Sequence, residues 1–429
     1  MKKTIALVLS LLLLISIGQG IMVNVTAASS NYSGECGADG DNVTWNYAYS
    51  SGVLTISGTG AIANPDRWGS MPWSTYRLDI KSVIISEGIT KIGDYNFDLC
   101  THLQSVKLPE SLLSIGKCAF ADCRDLAEIE LPQNLTWIGT GAFNCCTSLE
   151  EISIPASVSF LGLAVFGVCL GLKTISVDEN NEYYLSDETG VLYTKDKTNL
   201  ITFPGGNEST TYTIPASVTN VEVGAFINSN LASIEVAPEN TSYASVSGVL
   251  FNKEMTTVIQ YPMGRDDASY VIPDSVTDIR DGAFYGNQHL ETVTIPNGVT
   301  TIGSGAFESC YQLKEIDVPE SVTTIYNGAF HHCDSLEKIT INHPYCKMYG
   351  DAIVESDNWH RTTIYGYEGS TAEEYAQKHE VPFESLGKIP DRFAKEDQGN
   401  KGLGSFFQRL KDLFQRIIDF FKNLFRKKS

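Results

Sequence analysis

The sequence is poor in the features that mark enzymes and nucleic-acid-binding proteins. Among its 429 residues are seven histidines, and 31 Lys and Arg stand against 51 Asp and Glu. It contains no Gly-x-Ser-x-Gly segment, no phosphate-binding glycine loop and no Cys-x-x-Cys zinc pair. Nucleic-acid phosphates require a basic surface, which this composition disfavours. We therefore predict a protein that is not an enzyme, uses no cofactor and binds no nucleic acid.

Long apolar runs are also scarce, and the one at the start is interrupted. Lys2 and Lys3 precede an apolar run from Ile5 to Ile17, small residues follow, and Ala27-Ala28 offers a cleavage site. This order is typical of a secretory signal peptide. The run is shorter than the roughly 18 residues that a membrane span needs. We predict a signal peptide over residues 1–28 and a secreted, extracellular protein at the cell surface.

The charge is unevenly distributed. When the leader's +2 and the +6 of residues 401–429 are subtracted from the total of −20, residues 28–400 carry −28. Residues 405–429 place basic side chains opposite a stripe of Phe, Leu and Ile, which predicts a basic amphipathic helix after a linker at 388–404. This helix would contact a membrane surface, a partner or the acidic body. The contact residues we predict are Phe406, Phe407, Phe414, Ile418, Phe421 and Phe425.

Phenylalanine recurs at a fixed period. The series is Phe97, Phe120, Phe143, Phe166, Phe226, Phe284, Phe307 and Phe330, with steps of 23, 23, 23, 60, 58, 23 and 23. An aliphatic-proline pair repeats with the same steps, as in Leu131-Pro132 and Ile154-Pro155. A fixed period of this length indicates stacked coils, each unable to bury its apolar side alone.

One clear unit shows how a coil is built. Ile129 and Leu131 alternate with polar residues, which predicts a short strand, and Pro132 ends it because proline lacks an N–H donor. Gly139 permits a turn, and Ala142-Phe143 then fills the interior from the opposite wall. The fold class we predict is a β-rich solenoid of right-handed coils whose strands form a parallel sheet.

Six cysteines follow the repeating phenylalanine by three residues. In the units of Phe226 and Phe284 the same position holds Ser229 and Asn287, so it favours a small side chain with a polar atom for the backbone. We interpret the six as free, inert thiols, although coil spacing also permits disulfides. The sequence does not pair the other four, Cys36, Cys118, Cys145 and Cys346.

Two units carry insertions of roughly 36 residues after Val177 and Val236. The insertions match each other at an offset of 58, as in Gly190-Val191-Leu192-Tyr193 and Gly248-Val249-Leu250-Phe251. Each contains two apolar runs around a polar turn, which predicts a β-hairpin added to the solenoid.

The repeat I-x-I-P-x-x-V-x-x-I-G-x-x-A-F-x-x-C resembles the BspA-like leucine-rich repeat of bacterial surface proteins, over about residues 80–342. Cys36-Gly37 through Pro72-Trp73 resembles its N-terminal cap, and Ile364 to Ala376 its closing cap. The domains we predict are a cap at 29–79, repeat blocks at 80–176 and 272–342, hairpin-bearing units at 177–271 and a cap at 343–387. The resemblance implies an extracellular binding or adhesion scaffold, and the fold does not name its ligand.

Two surfaces compete as the ligand site. The outward positions of the strands, such as Glu128, Glu151 and Thr292, are acidic or hydroxylic without aromatics, which indicates a solvated face, since tight interfaces favour Trp, Tyr and Arg. Aromatic residues concentrate in the insertions. We therefore predict that a protein or glycan ligand binds there, at Tyr183, Tyr184, Tyr193, Tyr243, Phe251 and Tyr261.

Two questions stay open. His331-His332 is interpreted as two exposed turn histidines and not as a metal site, because Cys333 beside them belongs to the cysteine column. Besides adhesion, the chain suits an architectural or interaction module of the cell envelope, held at the membrane surface by its C-terminal helix.

Overall fold

The computed structural model describes residues 31–38, 40–65, 69–350 and 362–393, and these form a solenoid of parallel strands. Most coils contribute a front strand, which precedes the proline, and a back strand of two to four residues, which follows it. The front strands are Val53–Gly58, Ser82–Ile85, Ser105–Lys107, Glu151–Ile154, Thr174–Val177, Thr211–Ile214, Ser233–Val236, Ser269–Val271, Thr292–Thr294, Glu315–Val318, Lys338–Ile341, Thr363–Glu368 and Phe383–Lys388. The back strands are Gly60–Ala61, Ile89–Ile92, Ser114–Ile115, Trp137–Ile138, Phe160–Leu161, Asn199–Thr202, Asn220–Val221, Thr257–Gln260, Asp278–Ile279, Thr301–Ile302, Thr324–Ile325 and Lys347–Met348. This confirms the predicted fold class.

A ladder of stacked phenylalanine rings fills the coils. Phe120 lies 5.6 Å from Phe143, ring centre to ring centre, and their planes differ by 2°. The other contacts between neighbouring coils of the regular blocks measure 4.8 to 5.9 Å. Trp73 closes the N-terminal end by stacking on Phe97 at 5.6 Å. The period of 23 residues therefore places one buried ring above the next. A change in the length of a coil would move its ring out of the stack.

We predicted that the front strands form one parallel sheet, but the structure divides them into several sheets. Ile129 and Leu131 are buried, but their segment is not a hydrogen-bonded strand, so the first block divides between Ser105–Lys107 and Glu151–Ile154. Regular pairing there would set Glu128 directly beside Glu151, and like charges at that spacing destabilise a sheet.

The insertions differ from the predicted two-stranded hairpins. Tyr184–Ser186 and Tyr243–Val246 add a third antiparallel strand, beside Leu192–Thr194 and Val249–Asn252 respectively. The last strand of each insertion then joins the back strands. Each insertion thus belongs to an extra coil of the solenoid instead of being appended to it.

Both ends are capped. Asn31–Gly37, Gly40–Ala48 and Val53–Gly58 pair antiparallel, and the last of these starts the parallel stack. At the other end the helix Thr371–Lys378 buries Ala372, Tyr375 and Ala376, and the hydroxyl of Ser370 accepts the N–H of Glu373 at 3.3 Å. Short 3₁₀ turns occupy Ser74–Tyr76 and Asp391–Phe393. Among the described residues, no helix combines the length and apolar character that crossing a bilayer requires.

The predicted linker at 388–404 begins as packed structure. Arg392 forms two hydrogen bonds to the Glu320 carboxylate, at 3.0 and 2.7 Å, and Phe393 is buried with its ring 5.3 Å from that of His343. The chain is therefore held against the second block as far as Phe393.

Candidate binding surfaces

The outward side chains of the front strands form a polar, exposed face. Glu128, Glu151 and Glu315 point to solvent, and the cleft along the first block is lined by groups such as Lys107, Glu110 and Glu130. No aromatic side chain lines this cleft. This cleft therefore suits weak, broad contacts, because it lacks the aromatic side chains that usually carry binding energy.

The structure places most of the predicted ligand residues in the core, which corrects that prediction. Tyr193, Phe251 and Tyr261 are fully buried and Tyr243 is 6 % exposed, whereas Tyr184 is half-buried and Tyr183 is 49 % exposed. Only Tyr183 is thus freely available to a ligand. Aromatic content alone did not distinguish rings that fill a coil from rings that face solvent.

The physical reason is that the insertions supply their own ladder rings. The N–H of Phe203 donates to the carbonyl of Ala225, and that of Tyr261 to Ala283, in the same way as Phe120 donates to Ala142 one coil on. Tyr261 also stacks on Phe284 at 5.2 Å. Each of the sequence steps of 60 and 58 residues therefore contains one additional ladder ring, Phe203 in the first and Tyr261 in the second.

The buried tyrosine hydroxyls have structural partners. Tyr193 and Tyr212 share the carboxylate of Asp187, at 3.2 and 3.1 Å, and Tyr261 donates to Asp267 at 2.9 Å. Burial raises the pKa of Tyr193 and of Tyr261 above that of a free phenol. These hydroxyls are neutral hydrogen-bond donors of the fold.

One tyrosine attaches each insertion to the coil before it. The hydroxyl of Tyr184 accepts the N–H of Leu161, and that of Tyr243 accepts the N–H of Val221, both at 2.9 Å. They cover the backbone where the back strands are interrupted, since Asn199–Thr202 does not pair with Phe160–Leu161, nor Thr257–Gln260 with Asn220–Val221. The back strands thus break once before each insertion.

The two breaks differ in one side chain. At the second, Arg280 crosses the gap and donates to the carbonyl of Val221 at 2.8 Å. The position 58 residues earlier is Glu222, which instead accepts a hydrogen bond from Asn199 at 2.8 Å. A glutamate cannot donate to a carbonyl, so the first break is left without the bridge that closes the second.

A groove of about 370 Å³ lies at this first break. Its apolar lining includes Leu161, Leu163, Ile201, Val223 and Ile227, and its polar lining includes Asn144, Tyr184, Thr194, Asn199 and Glu222. An apolar concavity with a few fixed polar groups is the usual form of a ligand site. Leu163 is 67 % exposed and Val223 is 53 % exposed, so the rim offers apolar surface as well.

An aromatic pair continues the apolar surface next to the groove. Trp137 and Phe160 lie on neighbouring back strands with ring centres 3.6 Å apart, and they are 46 % and 37 % exposed. We did not predict this pair, because the binding surfaces inferred from the sequence were the front strands and the insertions. Alignment of the repeats on the back strand reveals it, since Trp137 and Phe160 lie 23 residues apart and each directly precedes an aliphatic residue of the coil.

The cysteine column is explained by backbone hydrogen bonds. Each of Cys123, Cys146, Cys169, Cys310 and Cys333 donates its thiol to the carbonyl of the phenylalanine one coil earlier, at 3.1 to 3.3 Å. All ten cysteines are free. Burial raises the pKa of Cys100, Cys169 and Cys310 to about 12. These thiols are therefore unreactive at neutral pH, as predicted.

The predicted contact residues of the C-terminal helix, Phe406 to Phe425, lie outside the described residues, as does the predicted signal peptide.

Comparisons with known proteins identify the repeat. The model of the BspA type leucine rich repeat region matches in six copies, over residues 75–187, 197–259 and 267–366. No curated protein matches the sequence.

Several solved bacterial proteins are similar to this chain. A leucine-rich repeat protein from Eubacterium ventriosum is 23 % identical, with 83 % of this chain and 85 % of that chain covered and a TM-score of 0.42. A leucine rich cell surface protein from Faecalibacterium prausnitzii is 23 % identical, with 78 % and 98 % covered and a TM-score of 0.43. The pneumococcal vaccine antigen PcpA is 18 % identical, with 85 % and 99 % covered and a TM-score of 0.38. The matched repeats span more than half of the sequence, and the chain belongs to the family of bacterial proteins with BspA type leucine-rich repeats.

Proposed function

We propose that this chain is a non-enzymatic extracellular scaffold for binding or adhesion, and that its ligand contacts centre on the groove at the first break. The observation that carries the proposal is the difference between the two breaks. One is closed by Arg280, and the other is an apolar groove with Leu163 and Val223 at its rim. A gap that the fold is able to close, but leaves open, is available for a partner.

The chemistry of the groove favours a protein ligand. Its walls are mainly apolar, with aliphatic and aromatic side chains, and Glu222 places a carboxylate at the polar side. The body of the chain, residues 28–400, carries −28. We infer that the partner inserts an apolar side chain and presents a basic group to Glu222, while the acidic surface accelerates the approach of a basic partner.

The experiment uses the second break as a template. Glu222→Arg should let a guanidinium cross the first break and fill the groove, and Leu163→Glu should place a charge at its rim. We would apply the full chain and both variants to protein and glycan arrays. A matched control is Val271→Glu, because Val271 is equally exposed, at 68 %, but lies on a front strand.

The outcomes separate the alternatives. A specific protein hit that is lost in Glu222→Arg and Leu163→Glu but retained in Val271→Glu supports the groove. A hit retained in all three variants excludes it, and a glycan hit would replace the proposed protein ligand. Silence on both arrays favours the architectural role in the cell envelope.

The C-terminal segment supports that second role. Residues 405–429 combine basic and apolar side chains at helical spacing, which suits binding to an anionic membrane surface. Liposome flotation of the full chain against a chain ending at Phe393 tests this. That end point retains the Arg392 and Phe393 contacts with the second block. Equal flotation of the two chains would exclude membrane binding.

A further inference from the structure

Three side chains with metal-binding atoms converge on two neighbouring coils of the second block. One ligand atom each of Glu308, His331 and His332 lies within 4.8 Å of the others. Glu308 and His331 follow Phe307 and Phe330, so they occupy the same position one period apart. The cluster begins one coil after Tyr285, which lines the groove, but neither the adhesion proposal nor the cysteine column uses its three side chains.

The backbone of the two coils holds Glu308 beside His331. The N–H of Ser309 donates to the carbonyl of His331 at 2.8 Å, and the N–H of Phe307 donates to Ala329 at 2.8 Å. Neighbouring coils are thereby fixed at a spacing of about 4.8 Å. The backbone hydrogen bonds between the coils therefore fix where Glu308 and His331 lie.

The second histidine is brought in by a left-handed backbone position that the coils share. His332 has a φ of 53°, and Leu99, Asp122, Cys145 and Ser309 adopt the same conformation two residues after their own ladder phenylalanines. In an extended strand, adjacent side chains point to opposite sides. Here the chain reverses, and the two imidazole rings lie 5.8 Å apart with planes at 66°. The sequence interpretation of two unrelated, exposed turn histidines therefore needs revision, since His331 is half-buried and both rings share one side.

The ligand set suits a divalent ion of the zinc type. Imidazole nitrogen and carboxylate oxygen bind Zn²⁺ at about 2.0 to 2.2 Å, so ligand atoms in a tetrahedral site lie about 3.4 Å apart. The ligand atoms would need to move together by up to about 1.4 Å, which torsions of the exposed His332 and the half-buried Glu308 permit. In the part of the chain that the structure describes, no Lys or Arg forms an ion pair with Glu308.

We propose that Glu308, His331 and His332 bind one Zn²⁺ ion, which clamps two adjacent coils and keeps a coordination position open for water or a ligand atom of another molecule. The position after the ladder phenylalanine holds Asp98, Ala121, Asn144, Gly167, Ile227 and Tyr285 on other coils. Among these positions, only Glu308 and His331 place metal-binding residues on two successive coils.

The test is calorimetric titration of the metal-stripped full chain with Zn²⁺. We expect one saturable site, and the variants Glu308→Gln and His332→Ala should each weaken binding by at least about tenfold. Both side chains reach solvent, so both variants should fold, which circular dichroism verifies. His331 is left unchanged, because its ring packs 3.3 Å from where a Cβ on Gly328 would lie. Zn²⁺ should also raise the Tm of the wild-type chain and not that of the variants.

Two controls exclude other zinc ligands. His289→Ala removes an exposed histidine elsewhere, and the double variant Cys118→Ser, Cys145→Ser removes the two partly accessible thiols. Both should bind Zn²⁺ as the wild-type chain does. The proposal is overturned by the absence of saturable binding below about 100 µM. It is equally overturned by binding that Glu308→Gln and His332→Ala leave unchanged, or that the double cysteine variant abolishes.

Discussion

The regular blocks and the insertion-bearing units share one coil plan but stabilise it in different ways. In the regular blocks, a nearly parallel ring stack and a thiol-to-carbonyl hydrogen bond repeat from coil to coil. In the insertion-bearing units, the rings are tilted, as between Phe203 and Phe226 at 38°, and buried asparagine side chains hydrogen-bond the insertions to the preceding coil. The core itself divides into three clusters, and the middle one is formed mainly by the first insertion and the coil that follows it. The regular blocks are therefore stabilised by contacts that repeat from coil to coil. The insertion-bearing units rely on individual hydrogen bonds between polar side chains and the backbone, and they leave a groove at the first break.

A buried asparagine connects each insertion to the preceding coil by hydrogen bonds. Asn181 is fully buried, donates to the carbonyls of Pro155 and Val158 at 2.9 and 3.0 Å, and accepts the N–H groups of Tyr183 and Tyr184 at 2.8 Å. Asn240 makes the equivalent four bonds in the second insertion. One side chain thus fastens each insertion to the turn of the preceding coil.

The largest expected effect is that alkali weakens the regular blocks first. Burial raises the pKa of the column thiols, for Cys310 to about 12 from an ordinary value of 9.0. The protonated form is favoured by folding, so stability is complete below pH 9 and falls between pH 9 and 12 as the unfolded chain releases protons. At pH 10 we expect a loss of about 1 kcal/mol per thiol, summing to several kcal/mol. Urea unfolding at pH 7 and pH 10 measures it.

The control for alkaline unfolding is a chain with Cys123→Ser and Cys146→Ser, which should lose less stability between the two pH values. The insertion-bearing units lack column thiols, and their buried tyrosines respond only above about pH 10. An equal pH response in the variant and the wild-type chain would contradict this explanation.

Next in size is removal of one ladder ring. Phe143 is fully buried between Phe120 and Phe166, so Phe143→Ala should lower the free energy of unfolding by about 3–5 kcal/mol. Urea denaturation followed by circular dichroism measures the loss. Phe160→Ala, which removes a surface ring of the same size, should cost far less. Similar losses for the two would mean that the ladder is not the main source of stability.

Asn181→Ala tests the insertions in the same assay. The substitution leaves buried backbone groups without their side-chain partner, and we expect a loss of about 2–4 kcal/mol. Asn180 is the matched control, because it is exposed and bonds only to Asp178 at its side chain. Asn180→Ala should change stability by less than about 0.5 kcal/mol. If both variants behave alike, the insertions are held by their aromatic contacts instead.

The smallest expected effect concerns a single thiol. Cys146→Ala removes the hydrogen bond to the carbonyl of Phe120, and a loss of about 1 kcal/mol should follow. Cys146→Ser should recover part of it, since Ser229 fills the equivalent position in an insertion-bearing unit and donates to Phe226 at 2.8 Å. Identical stabilities of the alanine and serine variants would show that the column is selected for size alone.

The repeat was predictable because its determinants are local and periodic. Proline after each front strand, a small polar residue three positions after each phenylalanine and glycine at the turn each act within one coil or between neighbours. Phe203 and Tyr261 keep the period, since they lie 23 residues before Phe226 and Phe284. They escaped prediction because the steps that lead to them from Phe166 and Phe226 are 37 and 35 residues, and because Tyr261 changes the residue type. Asn181 escaped as well, since nothing in its local sequence distinguishes it from the exposed Asn180.

The sequence by itself determined the period, the ladder, the inert thiols and the caps, because stacking identical coils converts sequence spacing directly into spatial spacing. Only the tertiary structure decided which aromatic rings are buried, that Arg280 closes one break while Glu222 leaves the other open, and that Glu308 meets two histidines. Those features depend on which side chain lies opposite which across neighbouring coils, and the period alone does not specify that.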